Sequence, residues 1–162
     1  MKKIIVVIYL SLIAALCYSQ KVFLTHDVYD SWNSLKDFKI SKDGKYSAFG
    51  QNPQAGDGVL HIINNSTGEI LKTFSRGNSH EFASNSDFLI FKVSPQYDTI
   101  RNLKIKRKKE DSFPKDSLFI YSILKDSVWQ FERVKSFKFA TEENSVLAFL
   151  FEKEEVKKDK EE

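Results

Sequence analysis

The sequence is poor in the residues on which most enzyme chemistry runs. Its 162 residues include one cysteine, one methionine, three histidines and three prolines. Cys17 lies in an N-terminal segment read below as a leader, so the remainder offers no thiol, no disulfide and no cysteine ligand for a metal. That is compatible with an oxidising compartment without requiring one. His26, His61 and His80 are far apart, and no two have the i, i+4 spacing that places ligands on one helix face. The longest apolar run, Ile4 to Leu16, falls short of the roughly 20 residues that a membrane span needs. No long stripe of apolar residues recurs at the helical period, which argues against a helical bundle.

The N-terminus has the layout of a secretory signal peptide: basic Met1-Lys2-Lys3, the apolar run, then Cys17-Tyr18-Ser19 with small residues three and one places before Gln20. Residues 1–19 are read as the signal peptide, with cleavage between Ser19 and Gln20 and an exported product, periplasmic or extracellular. The rival reading lipidates Cys17, but Leu16 stands where a small residue belongs. No stable membrane span is expected once the leader is gone. Removing Lys2 and Lys3 takes the 25 basic residues to 23, against 22 acidic ones. The apparent basicity thus gives no reason to expect a nucleic-acid partner.

What the chain has in quantity is aromatic residues: fourteen Phe, six Tyr and two Trp. They fall in short alternating runs, which suit pleated, half-buried strands. Phe38 to Phe49 reads as a hairpin around Ser41-Lys42-Asp43-Gly44, where the glycine supplies the positive φ of the turn. Phe82 to Phe91 and Phe137 to Phe149 have the same layout. Between the copies lie further alternating segments. Strands are expected over 35–41, 45–50, 59–64, 69–74, 79–83, 87–94, 116–123, 128–134, 136–140 and 145–151, with Ser75 to Asn78 as a turn.

Four short antiparallel strands recurring at about 44 and then about 55 residues is the arrangement of β-propeller blades. The expected fold is all-β, a partial β-propeller of about two and a half four-stranded blades in an incomplete ring. A lead-in occupies 20–37 and the propeller 38–151, with blades over 38–74, 79–134 and, incomplete, 136–151. The longer second interval reflects an insertion, Tyr97 to Lys115. In the lead-in, Tyr29 and Trp32 lie three apart and share one face of a turn that Thr25 or Asp27 caps. Residues 152–162, nearly all Glu, Lys and Asp, read as a disordered or solvated tail. A β-sandwich is the structural rival, but it need not repeat one hairpin at blade spacing. Since blades bury their faces only on neighbours, the chain is expected to be the front of a longer reading frame.

Candidate chemistry is sparse. Gly77-Asn78-Ser79-His80-Glu81 approaches the nucleophile elbow Gly-x-Ser-x-Gly, but it ends in Glu and precedes a strand. It is read as a turn between blades. Asp27, Asp30 and Asp57 are read as turn-forming, since the ordered oxygen series of a calcium loop is missing. Arg101 to Lys109 carries six basic residues with no interleaved aromatic, the mark of a solvated insertion. Asn65-Ser66-Thr67 fits the glycosylation tripeptide and is read as a turn. No catalytic, cofactor-binding or metal-binding residue is assigned and no cofactor is expected.

The order Leu24-Thr25-His26-Asp27-Val28-Tyr29-Asp30-Ser31-Trp32, Ile40-Ser41-Lys42-Asp43-Gly44-Lys45, Asn52-Pro53-Gln54-Ala55-Gly56-Asp57-Gly58 and Phe113-Pro114-Lys115-Asp116-Ser117-Leu118 resembles the start of secreted bacterial peptidases of the prolyl oligopeptidase family. So does the Lys/Glu run in the third unit. The resemblance implies an N-terminal propeller that restricts access to a C-terminal α/β-hydrolase domain. That domain's Ser-Asp-His triad cleaves short peptides, often after proline. None of its residues maps onto this sequence. The resemblance therefore implies a substrate-gating propeller fragment, meeting peptide substrates through the full-length protein and without activity of its own. The alternatives are a small exported β-rich binding or scaffold protein, of unspecified oligomeric state, and an inactive pseudogene product.

Overall fold

A computed structural model describes residues 28–29, 32–140 and 146–153. Among these the chain is all-β: ten strands in three antiparallel sheets, with one short helix and no closed barrel. The first sheet has the order β1 (Asn33–Ile40), β2 (Tyr46–Pro53), β3 (Val59–Asn64), β4 (Ile70–Ser75). The second repeats it with β5 (Gly77–Phe82), β6 (Phe88–Val93), β7 (Ser117–Ser122) and β8 (Ser127–Phe131). The third pairs β9 (Val134–Phe139) with β10 (Leu147–Phe151).

The two four-stranded sheets share more than strand order. A bulge interrupts β1 between Lys36 and Lys39, and another interrupts β5 between Asn78 and Glu81. Each holds one residue in the left-handed region, Asp37 at φ 53° and Ser79 at φ 48°. In the first hairpin Gly44 (φ 74°) donates its N–H to the Ser41 carbonyl at 2.9 Å. In the second, Ser86 (φ 63°) donates in the same way to Ala83 at 2.9 Å. Asn65 bonds back to Lys45, and Ile123 bonds back to Asp87. Gly68 and Asp126 take positive φ in the two following turns. Arg76 and Arg133, both at positive φ, lead into β5 and β9. One backbone path is thus traced twice and begun a third time. Side chains in the left-handed region cost about 1–2 kcal/mol each, so their recurrence at matched places reflects geometry the unit requires. Ser86 offsets part of that cost because its buried hydroxyl accepts the Asp43 N–H at 3.1 Å, tying the two turns together.

The sheets stack face to face. Ala48, Leu60 and Ile62 of the first sheet meet Leu89, Phe91 and Tyr121 of the second, with Phe74, Phe82 and Phe119 around them. On its other side the second sheet packs Ile90 and Leu118 against Val134, flanked by Phe137, Phe139, Leu147 and Phe149. β6 therefore buries consecutive residues Leu89, Ile90 and Phe91 in alternate directions, which explains its uninterrupted apolar run. Polar ties reinforce both junctions. Lys72 of β4 reaches Asp126 at 2.8 Å, and Lys92 of β6 reaches Asp116 at 2.6 Å and the Lys135 carbonyl at 3.2 Å.

Several boundaries differ from expectation. β1 starts at Asn33, inside the segment read as a lead-in. The turn expected over Ser75 to Asn78 shrinks to Arg76, because its positive φ reverses the chain in one residue. Val134 opens β9 instead of closing β8. The insertion contains the helix α1 (Tyr97–Ile105) and a 3-10 turn at Glu110–Ser112. α1 leaves no periodic signal in the sequence because it is short, mostly polar and buries no residue. Tyr29 and Trp32 do share a face, their rings meeting edge-on at 4.9 Å. The leader, the Ser19–Gln20 junction, Cys17, Thr25, His26, Asp27, Asp30 and residues 154–162 lie outside the described residues.

Phe91 is fully buried, whereas Phe49, at the matching place of β2, is half-exposed. Phe91→Ala is expected to cost about 3–5 kcal/mol, and Phe49→Ala less than half of that. Urea unfolding of the two variants checks the difference.

Candidate functional site

No catalytic cluster assembles among the described residues. Gly77 to Glu81 is not a turn between units, as expected from sequence, but lies within β5. The path that makes this possible is the bulge, which absorbs Ser79 without ending the strand. Ser79 is exposed and no helix follows it, so the strand–turn–helix setting of a nucleophile elbow is absent here. His80, its neighbour, is turned into the junction between sheets and is 4% exposed. Its Nε2 lies 3.2 Å from the Ala48 carbonyl, which places the proton on Nε2. Nδ1 has no hydrogen-bond partner among the described residues. Burial pushes the His80 pKa below its ordinary 6.5, while the Ala48 carbonyl and Asp37 pull the other way.

His61 stands on β3, its ring stacked on Phe49 at 5.2 Å. Both of its ring nitrogens are shut from solvent without a hydrogen-bond partner among the described residues. Asp57 accepts the Tyr97 N–H at 2.8 Å and so closes the first turn of α1. It caps the helix from the loop after β2, a role different from the turn-forming one expected from sequence. Arg101, Lys104, Lys106, Arg107, Lys108 and Lys109 all sit exposed on α1 and the loop after it. Asn65 accepts the Ser47 hydroxyl at 2.7 Å and donates to the Gly44 carbonyl at 2.7 Å, so its side chain locks the hairpin.

The strongest electrostatic perturbations are structural as well. Ser41 Oγ donates to Asp43 at 2.7 Å and the Lys45 N–H at 3.1 Å, which holds the Asp43 carboxyl down at about 2. Burial, followed by its bond to Asp126, pushes the Tyr121 hydroxyl up to about 12. Asp126 is lowered in turn, first by Lys72 and then by Tyr121. None of these groups faces a nucleophile or a second carboxylate across a cleft.

Two open clefts are lined largely by polar residues. One of about 260 Å³ is lined by Asn52, Asp57, Arg76, Asn78 and Tyr97. Another, of about 570 Å³, runs between Asp111, Lys115, Lys135 and the end of β10. Both are shallow and open, and neither contains a histidine or a serine positioned for acyl transfer. No group of three or more metal-ligating side chains occurs among the described residues. No helix among them is long and apolar enough to cross a membrane.

No family model matches the chain, and no curated protein matches it. Among solved structures it is similar to a chain from a structural and mechanistic study of two prolyl endopeptidases, concerned with inter-domain dynamics in catalysis and specificity. The identity is 21% and the TM-score 0.41, over 59% of this chain and 14% of that one. The chain therefore spans a small part of that protein's length, and a likeness of this size assigns neither activity nor substrate.

His80 makes the main testable contribution of these groups. A histidine whose folded pKa is lowered stabilises the fold fully above its unfolded value of 6.5 and loses that contribution as pH falls. His80→Phe is expected to flatten the fall in Tm between about pH 7 and about pH 5. Calorimetry across that range checks it; equal slopes for variant and parent contradict it.

Proposed function

We propose that this chain is the N-terminal part of a β-propeller that gates access of peptides to a serine peptidase resembling the prolyl oligopeptidase family. The observation that carries the propeller reading is the recurrence of one four-stranded unit, with the same bulge and the same positive-φ positions, stacked through both faces of the middle sheet. Propeller blades are units of this kind, set radially so that each buries its faces on its neighbours. A sandwich packs two sheets face to face over one shared core and does not call for one backbone path traced repeatedly. The peptidase part of the proposal rests on the sequence motifs, from Leu24 to Trp32 through Phe113 to Leu118. In this reading the protein is exported after cleavage at Ser19–Gln20. The clefts beside Arg76 and Lys115 belong to an end of the propeller, and the catalytic groups stand on another domain.

The native locus supplies the test. Its complete product is expected to hydrolyse a chromogenic proline-containing peptide and to react covalently with a fluorophosphonate, a serine-directed reagent. Residues 20–162 alone are expected to do neither. A locus whose product lacks any Gly-x-Ser-x-Gly hydrolase segment overturns the peptidase reading and leaves a β-rich binding or scaffold protein.

A further inference from the structure

The insertion between β6 and β7 carries six cations in nine residues: Arg101, Lys104, Lys106, Arg107, Lys108 and Lys109. All six are exposed, and none forms an ion pair among the described residues. No acidic residue falls between Arg101 and Lys109 to offset them. The run is nevertheless ordered. α1 contains Arg101 and Lys104, and a Schellman pair closes its C-terminus. The Lys108 N–H donates to the Leu103 carbonyl at 3.0 Å, and the Arg107 N–H to the Lys104 carbonyl at 2.9 Å. Arg107 takes the left-handed position of that motif at φ 51°, where glycine is the usual residue. Ser112 then returns to the Lys109 carbonyl through its N–H at 3.0 Å and its hydroxyl at 2.7 Å. One or two cations in a last turn complement the helix dipole. Six exceed that need, and Arg101 and Lys104, three apart on α1, repel one another. Helix stability therefore does not account for the run. Leu103 is half-buried and Ile100 lines the cleft beside Arg76. Ile105, roughly 200° round the axis from Leu103, points away and is 65% exposed. It shares its stripe with Arg101, four residues earlier.

We propose that this ridge, from Arg101 to Lys109, is a peripheral docking site for an anionic lipid surface, with Ile105 entering the headgroup layer. The proposal rests on the insertion alone and is independent of both the propeller and the peptidase parts of the proposed function. Lipid headgroups supply mobile anions that gather round cations pointing to several sides of a helix end. The layer beneath them supplies the apolar phase that Ile105 lacks in water. A nucleic acid offers no such phase, and the run has no aromatic side chain on which bases stack. An acidic protein surface would have to match cations that do not share one face. The chain as a whole has nearly as many acids as bases, 22 against 25, so the attraction is local to the ridge and orients the chain on the surface.

Vesicle sedimentation with the full chain is the test. Phosphatidylcholine vesicles with about 30% phosphatidylglycerol present the anionic surface. Vesicles of phosphatidylcholine alone measure what the apolar run Ile4 to Leu16 contributes, and binding is read as the excess over them. The parent is expected to show that excess and to lose it as salt rises from about 0.05 M to about 0.5 M. Each cation near such a surface strengthens binding by about fivefold, so Arg101→Gln, Lys104→Gln, Lys106→Gln and Lys108→Gln together are expected to weaken it by at least about a hundredfold. Glutamine has nearly the same helix propensity, so the Tm is expected to hold. Ile105→Ser is expected to weaken binding several-fold at unchanged charge. Arg107→Gly separates charge from backbone: glycine suits the left-handed position, so the Tm is expected to hold or rise while binding falls by about fivefold. Equal excess binding by the parent and the fourfold variant overturns the proposal. So does binding of the parent to poly-glutamate or duplex DNA with no excess on anionic vesicles.

Discussion

Everything in this fold depends on the middle sheet burying both of its faces. β6 and β7 send Leu89, Phe91, Phe119 and Tyr121 to one side and Ile90, Leu118 and Ile120 to the other. An antiparallel sheet that faces water on one side alternates apolar and polar residues; this one cannot, because it has no solvent side. Burying side chains of this size is worth about 1.5–3 kcal/mol each, so the two cores outweigh any surface ion pair. Among the described residues the first and third sheets each bury a face on the second, which couples their stability to it.

The polar groups fit that mechanical scheme. Tyr121, Asp126 and Lys72 form a chain across the first junction, and Lys92 with Asp116 spans the region next to the second. The exposed pair Lys72–Asp126 is of the kind that contributes about 0–1 kcal/mol, small beside the apolar core it borders. Asp43, held down by Ser41 and Lys45, braces a single turn. The perturbed carboxylates therefore mark structural joints, and the region of sequence closest to a nucleophile motif is a strand with a bulge.

Much of the fold was legible in the sequence. Alternation located the ten strands, because β structure writes a two-residue period wherever one face is drier than the other. Asp43-Gly44 announced its hairpin through glycine. The matching positions Ser79, Ser86 and Asp126 were not legible as positive-φ sites, because nothing in a serine or aspartate reports a backbone that tertiary context imposes. For the same reason the single-residue link at Arg76 has the sequence signature of a four-residue turn. The helix α1 was hidden by its polar composition. The burial of His80 was hidden by its place after a turn-like Gly-Asn-Ser, and only the register of the second sheet shows why it points inward.

Native-state hydrogen exchange tests the central claim most directly. If the middle sheet holds the stack together, the amides of β6 and β7 exchange only through global unfolding, while those of β1 and β10 exchange through smaller openings. Exchange of β1 or β10 as slow as that of β6, or of β6 as fast as theirs, would contradict it.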